Sequence, residues 1–144
     1  MHKHRFQTQR GFGLFDALIS LAILSFGMLA MTRFQARTVA QTTDAQSRQV
    51  ATQLAAEHMG TVLVDVENAA CYTVPFSGTC SNAGAKTRTA LWAARVASAP
   101  LPGSVSTTVA LDSTTSLMTL VISWTAKDST EGTRTLRTVT DVRP

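Results

Sequence analysis

The chain has 144 residues, enough for one domain beyond an apolar anchor, and a formal net charge of +4. Three basic residues, Lys3, Arg5 and Arg10, precede residue 12, and no acidic residue lies among them. The rest of the chain is nearly balanced in charge and has no basic stripe with interleaved aromatic residues. This composition argues against a nucleic-acid-binding protein, so no nucleic acid is expected among the partners.

An apolar run extends from Phe12 to Met31 and contains one charged residue, Asp16. At about 1.5 Å per residue, a helix of this length spans roughly 30 Å, which is the thickness of the hydrocarbon core of a bilayer. The run therefore predicts a single membrane-spanning helix. The basic residues before it favour a cytoplasmic N-terminus, with the C-terminal part on the opposite side.

Asp16 is the exception within this run. A carboxylate at the bilayer centre costs about 2.5–3.5 kcal/mol on insertion scales, and less near the start of a helix, where Asp16 lies. An ionisable residue inside a membrane span marks a functional site with a cationic partner. The alternative is a charge that reaches the membrane interface.

The segment from Gly11 to Leu18, GFGLFDAL, follows a basic leader and resembles the type III signal of type IV pilins and pseudopilins. The resemblance implies that a prepilin peptidase cuts between Gly11 and Phe12, which removes the leader, residues 1–11. It also implies methylation of the new amino group of Phe12. Most members of the family carry Glu at the position of Asp16, so this chain keeps the charge with a shorter reach.

The resemblance also implies a location and a role for Asp16. The chain would lie in the bacterial inner membrane with its N-terminus in the cytoplasm and its head in the periplasm, and later in a pilus at the cell surface. In the family, the acidic residue neutralises the N-terminal ammonium of a neighbouring subunit. Pairing the two charges offsets the desolvation of each, which would make Asp16 a subunit assembly charge.

A secretory signal peptide is the competing interpretation of the N-terminus. Such peptides have apolar regions of about 7–15 residues followed by a small-x-small cleavage site. The run from Phe12 to Met31 is longer, contains Asp16, and is followed by Thr32-Arg33-Phe34. The sequence therefore favours a retained membrane helix.

The helix is expected to continue beyond the membrane. No proline occurs between residues 1 and 74, and apolar residues from Val50 to Val66 recur at helical spacing. We therefore expect one helix from about Phe12 to Val66, roughly 80 Å long at 1.5 Å per residue. Its membrane and assembly segment is 12–31 and its periplasmic half is 32–68, with Gly60 as a candidate kink.

The chain has two cysteines, Cys71 and Cys80, both beyond the apolar run. In an oxidising periplasm they predict a disulfide, and two free thiols are the alternative. A bridge across so short a loop stabilises a fold by about 2–3 kcal/mol. Residues 69–86 are rich in turn-forming residues and are expected to be a loop that this pair closes.

A short helix is expected next, over about 87–99, with Leu91, Trp92 and Val96 on one face. It should end before Pro100, which a helix does not tolerate in its interior.

Three β-branched runs follow, over 105–111, 117–126 and 133–142, and their short links favour an antiparallel meander. The expected fold class is α+β. A long N-terminal helix packs on a small antiparallel sheet of three to four strands, and the globular head comprises 69–144. The outer edge of the last strand could pair with a strand of a partner.

The second half of the chain resembles the PilV-type minor pilins in Trp92, the step Leu101-Pro102-Gly103, Val121 and Trp124. The resemblance implies a minor pilin of the type IV pilus, built into the pilus or its initiating tip complex. The partners that it implies are other minor pilins, the major pilin, the prepilin peptidase and the inner-membrane assembly platform.

No catalytic motif is present: the sequence lacks a Gly-rich phosphate loop, G-x-S-x-G and H-E-x-x-H. We therefore expect no catalytic residue, metal site or cofactor, and a protein that is not an enzyme. His58 is interpreted as a packing or surface residue, Trp92 and Trp124 as core, and Asp65 and Glu67 as solvated.

Two alternative functions remain open from the sequence. A minor pseudopilin of a type II secretion system would share the leader and the long helix. A generic single-pass, membrane-anchored periplasmic binding domain would need no cut after Gly11 and would tolerate replacement of Asp16.

Overall fold

The computed structural model describes residues 12–125 and 132–143. The elements in chain order are α1 (Phe12–Val64), a 3₁₀ helix (Val66–Tyr72), α2 (Ala83–Ala97), β1 (Val105–Asp112), β2 (Leu117–Thr125) and β3 (Thr133–Asp141). The expected α+β layout, a long N-terminal helix followed by a small antiparallel sheet, is confirmed. The proposed leader with Gly11, the predicted end of the second strand at residue 126 and the short link that follows it lie outside the described residues.

The chain forms two compact units, which we call the N-terminal unit, up to Thr42, and the head unit, from Thr43 onward. The single long helix predicted from the absence of proline is present, and it remains helical through Gly60. It ends at Val64, two residues earlier than predicted, because Asp65 leaves the helical conformation with φ −126° and ψ 48°.

The head unit has one hydrophobic core, to which every element of the unit except β3 contributes buried side chains. Its main members are Ala51, Ala55, Met59 and Val62 of α1, Tyr72 of the 3₁₀ helix, Trp92 and Val96 of α2, Val109 of β1, and Met118, Leu120, Ile122 and Trp124 of β2. The helical spacing read from the sequence therefore identifies the buried face of α1, and both tryptophans are core residues as predicted.

The prediction for α2 was wrong in two respects: the residue at which the helix begins and the burial of Leu91. The helix begins at Ala83 instead of residue 87, because the side chain of Asn82 accepts a hydrogen bond from the backbone N–H of Ala85 at 3.0 Å and caps it. Leu91, predicted to share a face with Trp92, is 63% exposed.

Residues 69–86 are more ordered than the predicted loop. Their first four residues belong to the 3₁₀ helix, and Val74 forms an antiparallel bridge with Val109 on β1. The two backbone hydrogen bonds of this bridge measure 2.9 and 2.7 Å. The polar, turn-rich sequence predicts a loop because it shows no strand pattern, and a single β-bridge forms without such a pattern.

The sheet has the order β1-β2-β3 with both pairs antiparallel, as the predicted meander requires. Even-numbered residues of β2 face the core, while β3 alternates between exposed and half-buried positions. Gly103, which precedes β1, has φ +68°, and a Cβ at that position would lie 2.7 Å from Cβ of Thr125. The Leu-Pro-Gly step therefore needs glycine for both its conformation and its close approach to β2.

Candidate functional site

In its described residues, the N-terminal unit consists of α1 up to Thr42 and exposes large apolar side chains around the helix. These are Leu14, Phe15, Leu18, Ile19, Leu21, Ile23, Leu24, Phe26, Met28, Leu29 and Met31. A helix that is apolar on all sides is stable only when other apolar groups surround it, in a protein core or in a membrane. The exposed apolar surface of this segment is therefore compatible with surroundings of lipid or of other helices.

By length and composition, α1 is long and apolar enough to cross a membrane. An 18-residue window within it has a mean hydropathy of 2.1, and none of that window is buried. Among the described helices, α1 is the one that meets this test of length and hydropathy. A signal sequence near the N-terminus meets the same test. The helix thus fits a single-pass anchor.

Asp16 lies on this apolar surface, four residues after Phe12, the first residue of α1. Its side chain is exposed beside an open depression of about 450 Å³ that Gly13, Phe15 and Ile19 also line. Within residues 12–125 and 132–143, no cation pairs with Asp16. A partner for this carboxylate inside an apolar environment must therefore come from beyond the described part of the chain.

The two cysteines lie in the head unit, where Cys71 and Cys80 form a disulfide with their Cα atoms 5.2 Å apart. The bridge joins the 3₁₀ helix to the segment just before α2. Thr89 of α2 donates a hydrogen bond to the carbonyl of Cys71 at 3.2 Å, so the bridge is attached to the α2 side of the core.

Replacing Cys71 and Cys80 together with serine is expected to lower the free energy of unfolding by about 2–3 kcal/mol, because the unfolded chain regains the freedom of the closed loop. Urea unfolding of the full chain in detergent, followed by near-ultraviolet circular dichroism, measures the change. Reductant should destabilise the wild type and leave the double variant unaffected. Equal midpoints for wild type and variant under oxidising conditions would contradict a stabilising bridge.

A cluster of polar groups surrounds Asp65 at the end of α1, where the sequence predicted a solvated carboxylate. Asp65 accepts hydrogen bonds from the side chains of Asn68 (2.7 Å), Tyr72 (2.7 Å) and Arg88 (3.1 Å). The bonds from Asn68 and Tyr72 hold the pKa of Asp65 below its ordinary value. The prediction was wrong because Arg88 approaches from α2, a contact that spacing along one helix cannot reveal.

His58 is buried in the head unit and is 2% exposed. Its Nε2–H donates to the backbone carbonyl of Tyr72 at 3.0 Å, which fixes the tautomer. Its ring stacks on Trp92, with centroids 4.0 Å apart and planes at 24°. Burial lowers the pKa of His58 below its ordinary value, although the hydrogen bond to Tyr72 acts in the opposite direction. His58 is thus a packing residue that is held neutral.

The stability of the head unit should depend on pH through His58. Because the folded-state pKa of His58 is lowered, the unfolded chain binds a proton more readily once the pH falls below about 6.5. The free energy of unfolding should therefore fall from pH 7 to pH 5 and level off below the folded-state pKa. Urea midpoints of the full chain in detergent over this range measure it.

The control for this prediction is His58→Gln, whose amide can still donate to Tyr72 but does not titrate. The slope between pH 7 and pH 5 should be smaller in the variant than in the wild type. An equal slope in both would assign the pH dependence to other groups.

An open groove of about 390 Å³ runs between α1 and α2 over His58 and Trp92. Its two cations are already paired: Arg95 forms an ion pair with Glu57, and Arg88 forms one with Asp65. No group of three or more His, Cys, Asp or Glu side chains that could hold a metal ion is found among the described residues. Both cations of the groove are therefore engaged in ion pairs within the head unit, and their role is structural.

Comparison of the chain with protein-family models, with curated proteins and with solved structures gives no match. Its function is therefore inferred from its own residues.

Proposed function

We propose that this chain is a minor pilin of the type IV pilus, similar to the PilV type. It is cut between Gly11 and Phe12, methylated on Phe12, and assembled into the pilus or its initiating tip complex. The observation that carries the proposal is one continuous feature. From Phe12 on, the segment GFGLFDAL forms the start of α1, whose large apolar side chains up to Met31 are exposed.

The chemistry of that helix suits two successive environments. Before assembly, the segment 12–31 is solvated by lipid, and beyond its first turn the backbone N–H and C=O groups are bonded within the helix itself. During assembly, the same side chains pack against the helices of other subunits. Because both surroundings are apolar, transfer from one to the other has no large hydrophobic cost, and charge pairing can decide the position of the subunit.

Asp16 supplies the charge for that pairing. An unpaired carboxylate is disfavoured both in lipid and between apolar helices. The α-amino group that a cut before Phe12 creates is a cation that every subunit of the pathway would carry. Pairing of Asp16 with this ammonium on a neighbour fixes the axial position of one subunit relative to the next, and the head unit then contributes lateral contacts.

The test is the intact mass of the chain extracted from the membranes of its own host, with mapping of its N-terminal peptide. A chain that begins at N-methylated Phe12 supports the proposal. Host cells without prepilin peptidase are the control, in which the chain should keep residues 1–11. A chain that begins at Met1 in cells with active peptidase would overturn the proposal and favour an ordinary membrane-anchored domain.

A further inference from the structure

The strand β3 forms one edge of the three-stranded sheet. The N–H of Val142 donates to the carbonyl of Ser116 at 2.9 Å, at the end of the β2–β3 register, so these two residues form a hydrogen-bonded pair. Such pairs recur at every second residue of an antiparallel ladder. The odd-numbered residues of β3, from 133 to 141, therefore direct their N–H and C=O groups away from β2, toward a side with no strand neighbour in the described part of the chain.

The same odd-numbered residues are exposed to solvent. Val139 is 47% exposed, which makes it an apolar residue on the surface of a largely polar strand. Arg137 and Asp141 lie two residues before and two residues after it, and their charges are opposite. Charges on an edge strand ordinarily guard it against pairing. Here their symmetric placement about Val139 would attract a second copy of the strand instead.

We propose that the edge of β3 binds β3 of a second copy of this chain, antiparallel, about a two-fold axis at Val139. In this Val139-centred register, Arg137 lies opposite the partner's Asp141, and Asp141 opposite the partner's Arg137. Every pair joins odd-numbered residues, so the free N–H and C=O groups meet as hydrogen-bonded pairs. The two sheets then form one sheet of six strands. The inference goes beyond the proposed function and does not depend on it.

Charge selects this register among its neighbours, because like charges directly opposite each other on adjacent strands are destabilising and opposite charges are stabilising. A two-fold axis at Arg137 would place that residue against its own copy. An axis at Thr138 would place Arg137 opposite Val139, which carries no charge. An axis at Thr140 would place Arg137 opposite Arg143, which carries a like charge.

Asp141 already forms an ion pair with Arg143 of its own chain, so the partner's Arg137 would share this carboxylate. Asp141 accepts hydrogen bonds from Arg143, and these keep the pKa of Asp141 below its ordinary value, so the carboxylate is charged at neutral pH. Arg137 has no ion pair among the described residues and is exposed. The cation is therefore available to a second chain without loss of an existing contact.

The first test is a cross-link at the two-fold axis. The described chain has no free cysteine, since Cys71 and Cys80 are bonded to each other. In the full chain in detergent, with micelles in excess over protein, mild oxidation of Val139→Cys should give a disulfide-linked dimer. The control is Thr135→Cys, on the same exposed face. In this register its counterpart lies roughly 27 Å away at about 3.4 Å per residue, so it should give no comparable dimer.

Charge reversal in the Val139→Cys background tests the register itself. Arg137→Asp places an acidic residue opposite Asp141 at both symmetric positions of the dimer. This variant should lower the yield of dimer about tenfold. Adding Asp141→Arg exchanges the two charges and should restore it. Near-ultraviolet circular dichroism establishes that each variant is folded.

Two results would overturn the proposal: equal dimer yields for Val139→Cys and Thr135→Cys, or a double charge exchange that does not restore the dimer. A folded Val139→Cys chain that stays monomeric would also overturn it, and would leave the edge of β3 to a strand of a different protein.

Discussion

Replacement of Asp16 by alanine is expected to leave membrane insertion and the cut before Phe12 intact while abolishing incorporation into pili. Removal of a charge makes insertion easier, because a carboxylate is the costliest group in the apolar run. The neighbour's ammonium would then remain unpaired in an apolar environment, and truncating one partner of a buried ion pair costs about 3–5 kcal/mol. The amount of the variant in pili sheared from cells, relative to the amount in membranes, measures the effect.

Two further substitutions separate charge from size at this position. Asp16→Asn keeps the shape and loses the charge, so it should fail like alanine. Asp16→Glu keeps the charge and extends its reach, and should assemble. Normal amounts of the alanine and asparagine variants in sheared pili would refute charge pairing while leaving the processing of the leader untouched.

The second large effect is expected in the head unit, where Trp92→Ala should lower the free energy of unfolding by about 3–5 kcal/mol. Trp92 is 3% exposed, stacks on His58, and donates its indole N–H to the carbonyl of Leu54 at 2.9 Å. Its removal leaves a cavity between α1 and α2 and gives water access to His58. The midpoint of urea unfolding of the full chain in detergent provides the measurement.

The neighbouring residue supplies a matched control. Leu91 is in the same helix but 63% exposed, so Leu91→Ala should change stability by no more than about 0.5 kcal/mol. In Trp92→Ala, the pKa of His58 should also rise toward its ordinary value, because burial is what lowers it. Equal midpoints for the Trp92 and Leu91 variants would show that Trp92 is not a core residue.

Much of the fold could be predicted because its largest elements carry long, regular patterns. The long helix follows from the absence of proline and from helical spacing of apolar residues up to Val66. The strands follow from three β-branched runs with short links, and their bounds differ from the predicted ones by a residue or so wherever both ends are described. Each of these patterns is local, so a single sequence is enough to read it.

The contacts of the head unit could not be predicted, because they join residues far apart in sequence. The hydrogen bond from Trp92 to Leu54 connects α2 to α1, and the one from Arg88 connects α2 to Asp65, the residue that follows α1. No periodicity specifies which residue of one helix faces which residue of another. The start of α2 is a different case. Asn82 is a recognisable N-cap residue, and the capping preference of asparagine is enough to predict that the helix begins just after it.

Within the head unit, side-chain contacts fasten the other elements to α1 over residues 44–58, and this has a mechanical consequence. The ties are Arg134 to Asp44, Trp92 to Leu54, Arg95 to Glu57 and His58 to Tyr72, and Arg88 binds Asp65 just after the end of the helix. A pull along α1 loads these ties in shear and in parallel, so they must fail together instead of one after another. Tension applied through the helix should therefore be borne by the whole packed interface, and the head should stay folded under forces that would open a domain held at a single point.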